Sequence, residues 1–196
     1  MLGFVLPQPA SASIMPDVVV ETTINDLIGQ LEARRTELEK DKQKLFQMVE
    51  DVVVPHFEVQ MIARLVLGKH WRTANEKQRE AFAEEFKKLM IRTYATALFE
   101  YTGNEKMVVK PLRIKDGDKR AKVETKITLP GAPPVPVNYS FILTKSGDWK
   151  IYDVKIDGIS LVTTYRSSYG QAVQNKGLDI LIDELKRKNN NLGTSG

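Results

Sequence analysis

The amino-acid sequence predicts an α+β fold, in which helices from both ends of the chain cover a curved, four-stranded antiparallel sheet. Two observations carry this prediction. Apolar residues recur at helical spacing from residue 18 to residue 101, whereas from residue 106 to residue 156 they recur at every second position. Helical spacing returns at residue 160, and this order of helices, strand meander and helices is typical of α+β domains.

Four helices precede the sheet. Apolar spacing predicts them over 18–39, 42–53, 56–68 and 75–101. Pro55 ends the second helix, because proline disfavours helical backbone in the preceding residue, and Gly68 is a natural stop for the third. Asn75 and Gln78 form a capping-box pattern at the start of the fourth. The third helix is apolar around most of its circumference, so we expect it to lie deep in the fold.

Four strands and two more helices follow. The turn sequences PGAPP and KSGD separate strands predicted over 106–115, 121–129, 135–144 and 148–156. Helices are predicted from residue 160 onward and over 178–188. In the last strand, Trp149 and Ile151 fall on one side of an extended chain, while Tyr152, Val154 and Ile156 fall on the other. A half-buried strand normally has one apolar side, so the second one needs an explanation.

The domain organisation is simple. Residues 13–188 are predicted to form a single domain, and the polar segment 189–196 a disordered tail. Residues 1–12 are uncharged, apolar at their start and end in Ala10-Ser11-Ala12, which is typical of the end of a secretory leader. A floppy N-terminal tail is the alternative. A leader would place the mature protein outside the cytoplasm, and it is expected to be soluble because no apolar run of 18 residues follows.

Composition and motifs exclude several classes of function. The chain has no cysteine, which rules out disulfides, thiolate catalysis and sulfur-based metal sites. A net charge of +4, with both signs spread along the chain, does not support nucleic-acid binding. The sequence has no phosphate loop and no nucleophile elbow. His56 and His70 lack carboxylates at metal-ligand spacing, so we interpret each as a capping or surface histidine and expect no metal.

Two pairs of charged side chains remain as candidates. Asp153 and Asp157 lie along one element and cannot face each other as catalytic carboxylates must. We interpret Asp157 as part of an Asp-Gly turn, and Asp153 as solvated or paired with a lysine. Arg64 and Arg166 each stand among apolar residues of a predicted helix. Either guanidinium could hold a phosphate at the mouth of a pocket, lie along the surface, or pair with a core carboxylate.

Four segments of the sequence carry a family resemblance. In chain order they are VVPHFEVQMIARLVLGKHWRTANEKQREAFAEEF, RTYATALFEYTG, WKIYDVKIDGISLVTTYRSSYGQ and KGLDILIDEL. Their most specific pieces are Pro55-His56-Phe57, Ala63-Arg64 with Leu67-Gly68, Tyr152-Asp153-Val154, and Gly158-Ile159-Ser160-Leu161. Over residues 18–185 the chain resembles the MlaC family, the periplasmic phospholipid-binding or toluene-tolerance auxiliary proteins of Gram-negative bacteria.

This resemblance implies a soluble periplasmic carrier that shuttles phospholipid between the outer and inner membranes to maintain outer-membrane lipid asymmetry. The implied partners are an outer-membrane lipoprotein–porin complex and an inner-membrane ABC transporter bearing an MCE-domain ring. The carrier would be a monomer, would not be an enzyme and would need no cofactor, since phospholipid is its cargo. The acyl chains would lie in an apolar cavity between sheet and helices, with the headgroup at the surface. One side of the last strand would meet packed core, and the other would line this cavity.

Apolar positions on the inferred inner side of the sheet and on the helices are the candidates for lining the cavity. They are Met61, Leu65, Met90, Tyr94, Val123, Ile127, Val137, Tyr139, Phe141, Trp149, Ile151 and Tyr165. Arg64 and Arg166 are the candidates for headgroup contact. Two other functions stay open. A structural adaptor that binds partner proteins would have a filled core, and an enzyme in a cone-shaped α+β pocket would need a polar constellation inside it.

Overall fold

A computed structural model describes residues 13–194 of the chain. Its α-helices are Pro16–Lys40 (α1), Lys42–Val53 (α2), Val59–Leu67 (α3), His70–Thr73 (α4), Glu76–Tyr94 (α5), Leu161–Lys176 (α6) and Leu178–Thr194 (α7). One sheet contains Lys106–Val109 (β1), Arg120–Thr128 (β2), Val135–Leu143 (β3), Trp149–Ile156 (β4) and Ile159–Ser160 (β5). Neighbouring strands are antiparallel and follow chain order. The predicted α+β class is confirmed, with the short β5 added to the four predicted strands.

The helix starts follow from side-chain caps that the sequence carries. The Asn75 side chain accepts a hydrogen bond from the Gln78 backbone N–H at 2.9 Å, and the Gln78 side chain accepts one from the Asn75 N–H at 3.0 Å. This is the predicted capping box of α5. Asp41 caps α2 in a similar way, by accepting hydrogen bonds from the backbone N–H groups of Gln43 and Lys44.

The prediction of a continuous helix over 56–68 is wrong at its start. Val54–His56 forms a 3-10 turn, and Phe57 is extended. Phe57 makes a parallel bridge to Ile151 of β4, and the Glu58 N–H donates to the Ile151 carbonyl oxygen at 2.8 Å. These contacts cover part of the free edge of β4, which an unpaired strand would otherwise leave open. The helix α3 therefore begins only at Val59.

Two other predicted elements are shorter than expected. The helix predicted over 75–101 leaves α-helical geometry after Tyr94, and Ala95–Glu100 continues it as a 3-10 helix. The strand predicted over 106–115 ends at Val109. Pro111 lies just beyond that end, and proline has no N–H with which to continue a ladder.

The prediction of a disordered tail over 189–196 is wrong for its described part, because α7 continues to Thr194. Asn189 is only 1% exposed, and its side-chain amide donates to the Glu85 carbonyl oxygen at 3.0 Å and to the Glu85 carboxylate at 2.7 Å. Arg92 donates to the Asn189 carbonyl oxygen. Contacts with α5 thus hold a segment whose composition suggests disorder. The proposed leader, residues 1–12, and residues 195–196 lie outside the described part.

A β-bulge in β4 explains why this strand seems to have two apolar sides. Ser140 of β3 lies opposite Asp153, and the next residue, Phe141, lies opposite Ile151, so Tyr152 has no partner. Because of this extra residue, the side chains that follow Tyr152 point to the opposite side from the one that regular alternation would give them. Four apolar residues therefore share one side of the sheet: Trp149, Ile151, Val154 and Ile156. The hypothesis that the two sides of this strand meet a core and a cavity is wrong, since the strand has a single apolar side.

Buried apolar side chains form three separate clusters within residues 13–194. The first lies among α3, α5, α6 and α7 and contains Phe82; the second lies among α1, α2 and α5 and contains Leu38. The third lies on the sheet around Phe141, and its buried helical members are Val19 and Val20 of α1. The sheet and most of the helical layer therefore have separate cores, which meet along a seam.

Deleting Tyr152 tests the bulge. The shortened strand would be WKIDVKI, which alternates regularly, so each apolar residue would keep its side of the sheet. We expect the free energy of unfolding, measured by urea denaturation, to fall by about 1–2 kcal/mol. The loss includes the contact of the Arg120 guanidinium with the Tyr152 ring, 5.9 Å from its centroid.

Deleting Lys150 is the matched control. It removes one residue from the regular part of β4 and turns Trp149, which is buried, out of the core. We expect this deletion to cost about 3–5 kcal/mol, as for the loss of a buried aromatic side chain. Equal costs for the two deletions would contradict the bulge.

Candidate functional site

The candidate site is the seam between the helical layer and the side of the sheet that faces it, here called the inner face. Strand register places seven of the twelve predicted lining residues on this face: Val123, Ile127, Val137, Tyr139, Phe141, Trp149 and Ile151. The direction of the face follows from Val123 and Phe141, which pack with Val19 and Val20 of α1. Alternation and the bulge together make this face largely apolar.

Burial decreases along the inner face. Val123 and Phe141 are 1% and 0% exposed. Toward the other end of β2, three apolar residues are direct neighbours across β1, β2 and β3: Met107, Ile127 and Val135. All three are partly exposed. This Met107–Ile127–Val135 row is a half-buried apolar surface that further apolar contact would stabilise.

The buried polar side chain of the inner face, Thr125, is paired within the fold. The buried Thr125 hydroxyl donates to the Val137 carbonyl oxygen at 2.7 Å. Burial raises the pKa of the Tyr139 phenol, which shows that this part of the face is apolar enough to disfavour charge. Such a face suits hydrocarbon.

The cluster within the helical layer contains a group of aromatic rings. Phe86 of α5 meets the edge of Tyr165 of α6 with ring centroids 5.2 Å apart, and Tyr165 lies 5.4 Å from Tyr169. Tyr94 lies beside the Tyr165 phenol and is itself 40% exposed. Burial first, and then the contact with Tyr94, raises the pKa of Tyr165 well above its usual range; the same two causes raise the pKa of Tyr169 to about 12.

The predicted lining residues separate into three groups in the structure. Five belong to the sheet cluster, as core or packed against it: Val123, Tyr139, Phe141, Trp149 and Ile151. Met90 and Tyr165 pack against the helical cluster. The other five lie outside the three clusters: Met61, Leu65, Tyr94, Ile127 and Val137. Their contact with a ligand stays a prediction. The candidates chosen from the sequence did not include Met107 and Val135, although alternation places Val135 on the same side as Val137. The strand register connects both residues to Ile127.

Two open depressions of the described surface lie away from the seam. One, of about 510 Å³, is formed by Asn104, Lys106 and the loop over 128–133. The other, of about 350 Å³, lies between the start of α5 and α7 and includes Asp179. Neither is lined by any of the twelve predicted residues.

Arg64 and Arg166 both reach the surface near the end of α3. Arg166 extends from α6 across Gly68, and its Nε is 3.0 Å from the position that a Cβ would take there. Gly68 also has a φ of +56°, a backbone conformation that favours glycine. Within residues 13–194, neither guanidinium has a hydrogen-bond or ion-pair partner, so pairing with a core carboxylate is excluded there.

Asp153 and Asp157 both have structural roles. The Asp153 carboxylate accepts the Ser160 hydroxyl at 2.7 Å and the Val162 N–H at 3.2 Å, which fixes the start of α6. The prediction that Asp153 is solvated or paired with a lysine is therefore wrong. Asp157 has a φ of +50° and precedes Gly158 in the predicted turn.

The histidines do not form a metal site with other side chains. Among the described residues, no three His, Asp or Glu side chains come close enough together to hold a metal ion. Burial, and then the charge of Lys150, lowers the pKa of His56. The Nε2 atom of His70 is buried without a hydrogen-bond partner, so His70 is not simply a surface residue.

Comparison with known proteins adds the family. A family model described as MlaC protein matches residues 21–187, which is most of the chain. The chain belongs to the MlaC family. The resemblance inferred from the sequence is thereby confirmed.

Named relatives of this MlaC-family chain include two bacterial proteins. The toluene tolerance protein ttg2D of Pseudomonas putida is 29% identical over 170 residues, which is 86% of this chain and 78% of the relative. The intermembrane phospholipid transport system binding protein MlaC of Haemophilus influenzae is 22% identical over 188 residues, 95% of this chain and 88% of the relative.

A solved structure has a similar fold. It is the phospholipid-binding protein from Ralstonia solanacearum in complex with a phospholipid, with a TM-score of 0.82 and 27% identity. The match covers 92% of the MlaC-family chain and all of that protein. In the described part of the present chain, no helix is both long enough and apolar enough to cross a bilayer.

The tyrosine cluster makes a prediction about alkaline stability. In the unfolded chain the phenols of Tyr165 and Tyr169 ionise near pH 10, whereas in the folded protein they keep their protons to higher pH. The unfolded state therefore loses protons first, so the stability that these two phenols contribute is fully present below pH 10 and falls as the pH rises from 10 to 12. Urea denaturation over this range should show the fall.

The double variant Tyr165→Phe, Tyr169→Phe should show a smaller fall over the same pH range, since phenylalanine cannot ionise. Tyr152→Phe is the control, because Tyr152 contacts Arg120 and lies outside the cluster. If the double variant and the control lose stability with the same pH profile as the parent protein, the cluster does not hold its protons as inferred.

Proposed function

We propose that this protein is a soluble periplasmic phospholipid carrier, which moves lipid between the outer and inner membranes and so maintains outer-membrane lipid asymmetry. One observation carries the proposal: a protein of the same fold, matched over 92% of this chain, is a complex with a phospholipid. The name of the Haemophilus influenzae relative, an intermembrane phospholipid transport system binding protein, supports the transport role. A binding function without catalysis agrees with both.

A lipid carrier is needed because exposing acyl chains to water costs a large free energy. Burying one methylene group is worth about 0.8 kcal/mol, so two acyl chains of roughly fifteen methylenes each would cost about 24 kcal/mol to expose to water. A phospholipid therefore does not cross an aqueous compartment unaccompanied. In an apolar seam the acyl chains would have nearly the same free energy as in a membrane. Partner proteins can therefore determine the direction of transfer.

We place the acyl chains in the seam. The predicted residues that are partly exposed would contact the chains directly: Met61, Leu65, Met90, Tyr94, Ile127, Tyr139 and Tyr165. The buried ones would form the floor beneath them: Val123, Val137, Phe141, Trp149 and Ile151. Met107 and Val135 extend this surface. Because the core around Phe82 is separate from the sheet core, the helices that enclose it would move relative to the sheet while α1 stays packed on Val123 and Phe141.

The partners that the family resemblance implies are part of this proposal. We propose that the carrier, as a monomer, exchanges lipid with an outer-membrane lipoprotein–porin complex and with an inner-membrane ABC transporter bearing an MCE-domain ring. The headgroup would stay at the surface, where Arg64 and Arg166 have free donors for a phosphate oxygen. Since few polar groups would touch the rest of the headgroup, its chemical class should matter little.

Mass spectrometry tests the carrier. The protein is purified without detergent and weighed under native conditions, and its lipids are then extracted with solvent. A phospholipid in stoichiometric amount that leaves only on denaturation supports the proposal. A protein that is free of lipid and takes none from vesicles would contradict it and would favour the adaptor with a filled core.

Substituting Ile127 tests the seam. Ile127→Asp places a carboxylate in the Met107–Ile127–Val135 row, and an unpaired charge against hydrocarbon costs several kcal/mol, so we expect at least roughly ten-fold less bound phospholipid. The matched control is Val108→Asp on the neighbouring strand, because Val108 points to the opposite side of the sheet and is 59% exposed. Both variants should remain folded by circular dichroism. Equal lipid content in the two would remove Ile127 from the site.

Substituting the two arginines tests the headgroup contact. Hydrogen bonds to a charged group are worth about 1.5–3 kcal/mol, so Arg64→Ala with Arg166→Ala should lower the preference for phospholipid over diacylglycerol by roughly ten-fold or more. Competitive loading from mixed vesicles, read by mass spectrometry, measures this ratio. Arg72→Ala, a change at an exposed cation of α4, is the control. An unchanged ratio in the double variant would exclude a phosphate contact.

A further inference from the structure

The side of the sheet turned away from the helices, here called the outer face, carries an excess of positive charge. Seven cations lie on it: Lys106, Lys110, Arg120, Lys122, Lys126, Lys150 and Lys155. The carboxylates of Glu124 and Asp153 lie on the same face. The resulting net charge of +5 exceeds the +4 of the whole chain, so the rest of the protein is slightly acidic. The basic character of this chain is thus concentrated on one face.

Most of these cations are not neutralised within the protein. Lys110 and Lys122 share the carboxylate of Glu124, each at 2.7 Å. Within residues 13–194, no carboxylate lies within 4.0 Å of Lys106, Lys126 or Lys155.

The other two cations also keep their charge. The Lys150 Nζ donates to the Pro55 carbonyl oxygen at 2.6 Å, and Arg120 lies over the Tyr152 ring. The Asp153 carboxylate is turned to the start of α6. The outer face therefore presents a positive field that carboxylates of the protein offset only in part.

The strand register arranges the cations in two bands. On β1 and β2 lie Lys106, Lys126, Lys122 and Arg120; on β4 lie Lys150 and Lys155. The strand between them, β3, has no charged side chain, and its outer residues are Pro136, Asn138, Ser140 and Ile142. Since neighbouring strands are about 4.8 Å apart, the bands on β2 and β4 are separated by roughly 10 Å. The charge is spread over an area and does not converge on one point.

We propose that the outer face is the surface by which the protein adheres to membranes rich in anionic phospholipid. The composition of the face favours a membrane over an acidic protein. Six of the seven cations are lysines, and lysine is depleted at protein interfaces where arginine is enriched. Lysines distributed over a surface are suited to binding the phosphate groups of a fluid membrane, because each flexible ammonium group can follow a mobile headgroup. The half-exposed Val108 stands beside Lys126 and can enter the headgroup region.

Flotation with vesicles tests the proposal on the full chain. One set of vesicles is phosphatidylcholine alone, and the other contains about one-third phosphatidylglycerol. We expect the protein to float with the anionic vesicles only, and the bound fraction to fall when salt is raised from about 50 to about 500 mM, because surface charges are then screened. Absence of binding to the anionic vesicles would overturn the proposal. It would favour an acidic protein as the partner that binds the outer face.

Charge-reversal variants locate the contact. The sheet variant carries Lys106→Glu, Lys126→Glu and Lys155→Glu, which change three lysines without a carboxylate partner. The matched control carries Lys77→Glu, Arg187→Glu and Lys188→Glu, which change three exposed cations of α5 and α7. Each lysine near an anionic surface is worth about a five-fold change in partitioning, so the sheet variant should bind on the order of 100-fold or more weakly.

Outcomes for the two variants separate this proposal from the carrier function. The control should keep at least most of its binding, although it has the same net charge as the sheet variant. Equal losses of vesicle binding in both variants would mean that binding depends on net charge alone. Unchanged binding of the sheet variant would mean that another surface contacts the membrane. Either result overturns the proposal. Bound phospholipid, measured in the same variants, should be unaffected. Loss of adhesion with normal cargo, or the reverse, shows which of the two proposals fails.

Discussion

An antiparallel sheet can bury one side and expose the other only if the apolar residues of every strand point to the same side. In this protein β4 meets that condition because Tyr152 is left unpaired in a β-bulge. A regular strand of the same sequence would turn Val154 and Ile156 to the opposite side from Trp149. The bulge therefore determines that the inner face is apolar throughout and that the outer face can carry charge. Both proposed surfaces of the protein depend on this one unpaired residue.

The separation of the cores gives the fold its second property. The helices pack on one another around Phe82, while the sheet is closed mainly by Val19 and Val20 at the start of α1. Interiors that are packed to crystal-like density move as units, so a seam between two such units opens more easily than either unit deforms. A ligand that enters the seam gains apolar contact with half-buried side chains such as Ile127, and it need not displace the packed floor beneath Phe141.

Sequence patterns predicted what is local and missed what depends on distant pairing. The capping box of Asn75 and Gln78 is written within four residues, and it was predictable. The unpaired state of Tyr152 depends on register with β3, and the helical state of Asn189 depends on contacts with α5, about a hundred residues away. Alternation also assigned Ile127 and Phe141 to the same face, but periodicity cannot distinguish a side chain that fills a core from one that borders a ligand.

The two faces of the sheet also constrain how adhesion and lipid transfer can be combined. A protein that rests on its outer face keeps the whole thickness of the sheet between the seam and the headgroups. The hydrogen-bonded backbone of the sheet lets no acyl chain through, so an acyl chain must leave by an edge of the seam. Adhesion through the outer face would therefore be a search step, which confines the carrier to two dimensions near its partners, and transfer would require the protein to tilt. Because exposed charges are screened within about 8 Å at physiological salt, a modest tilt is enough to release most of the attraction.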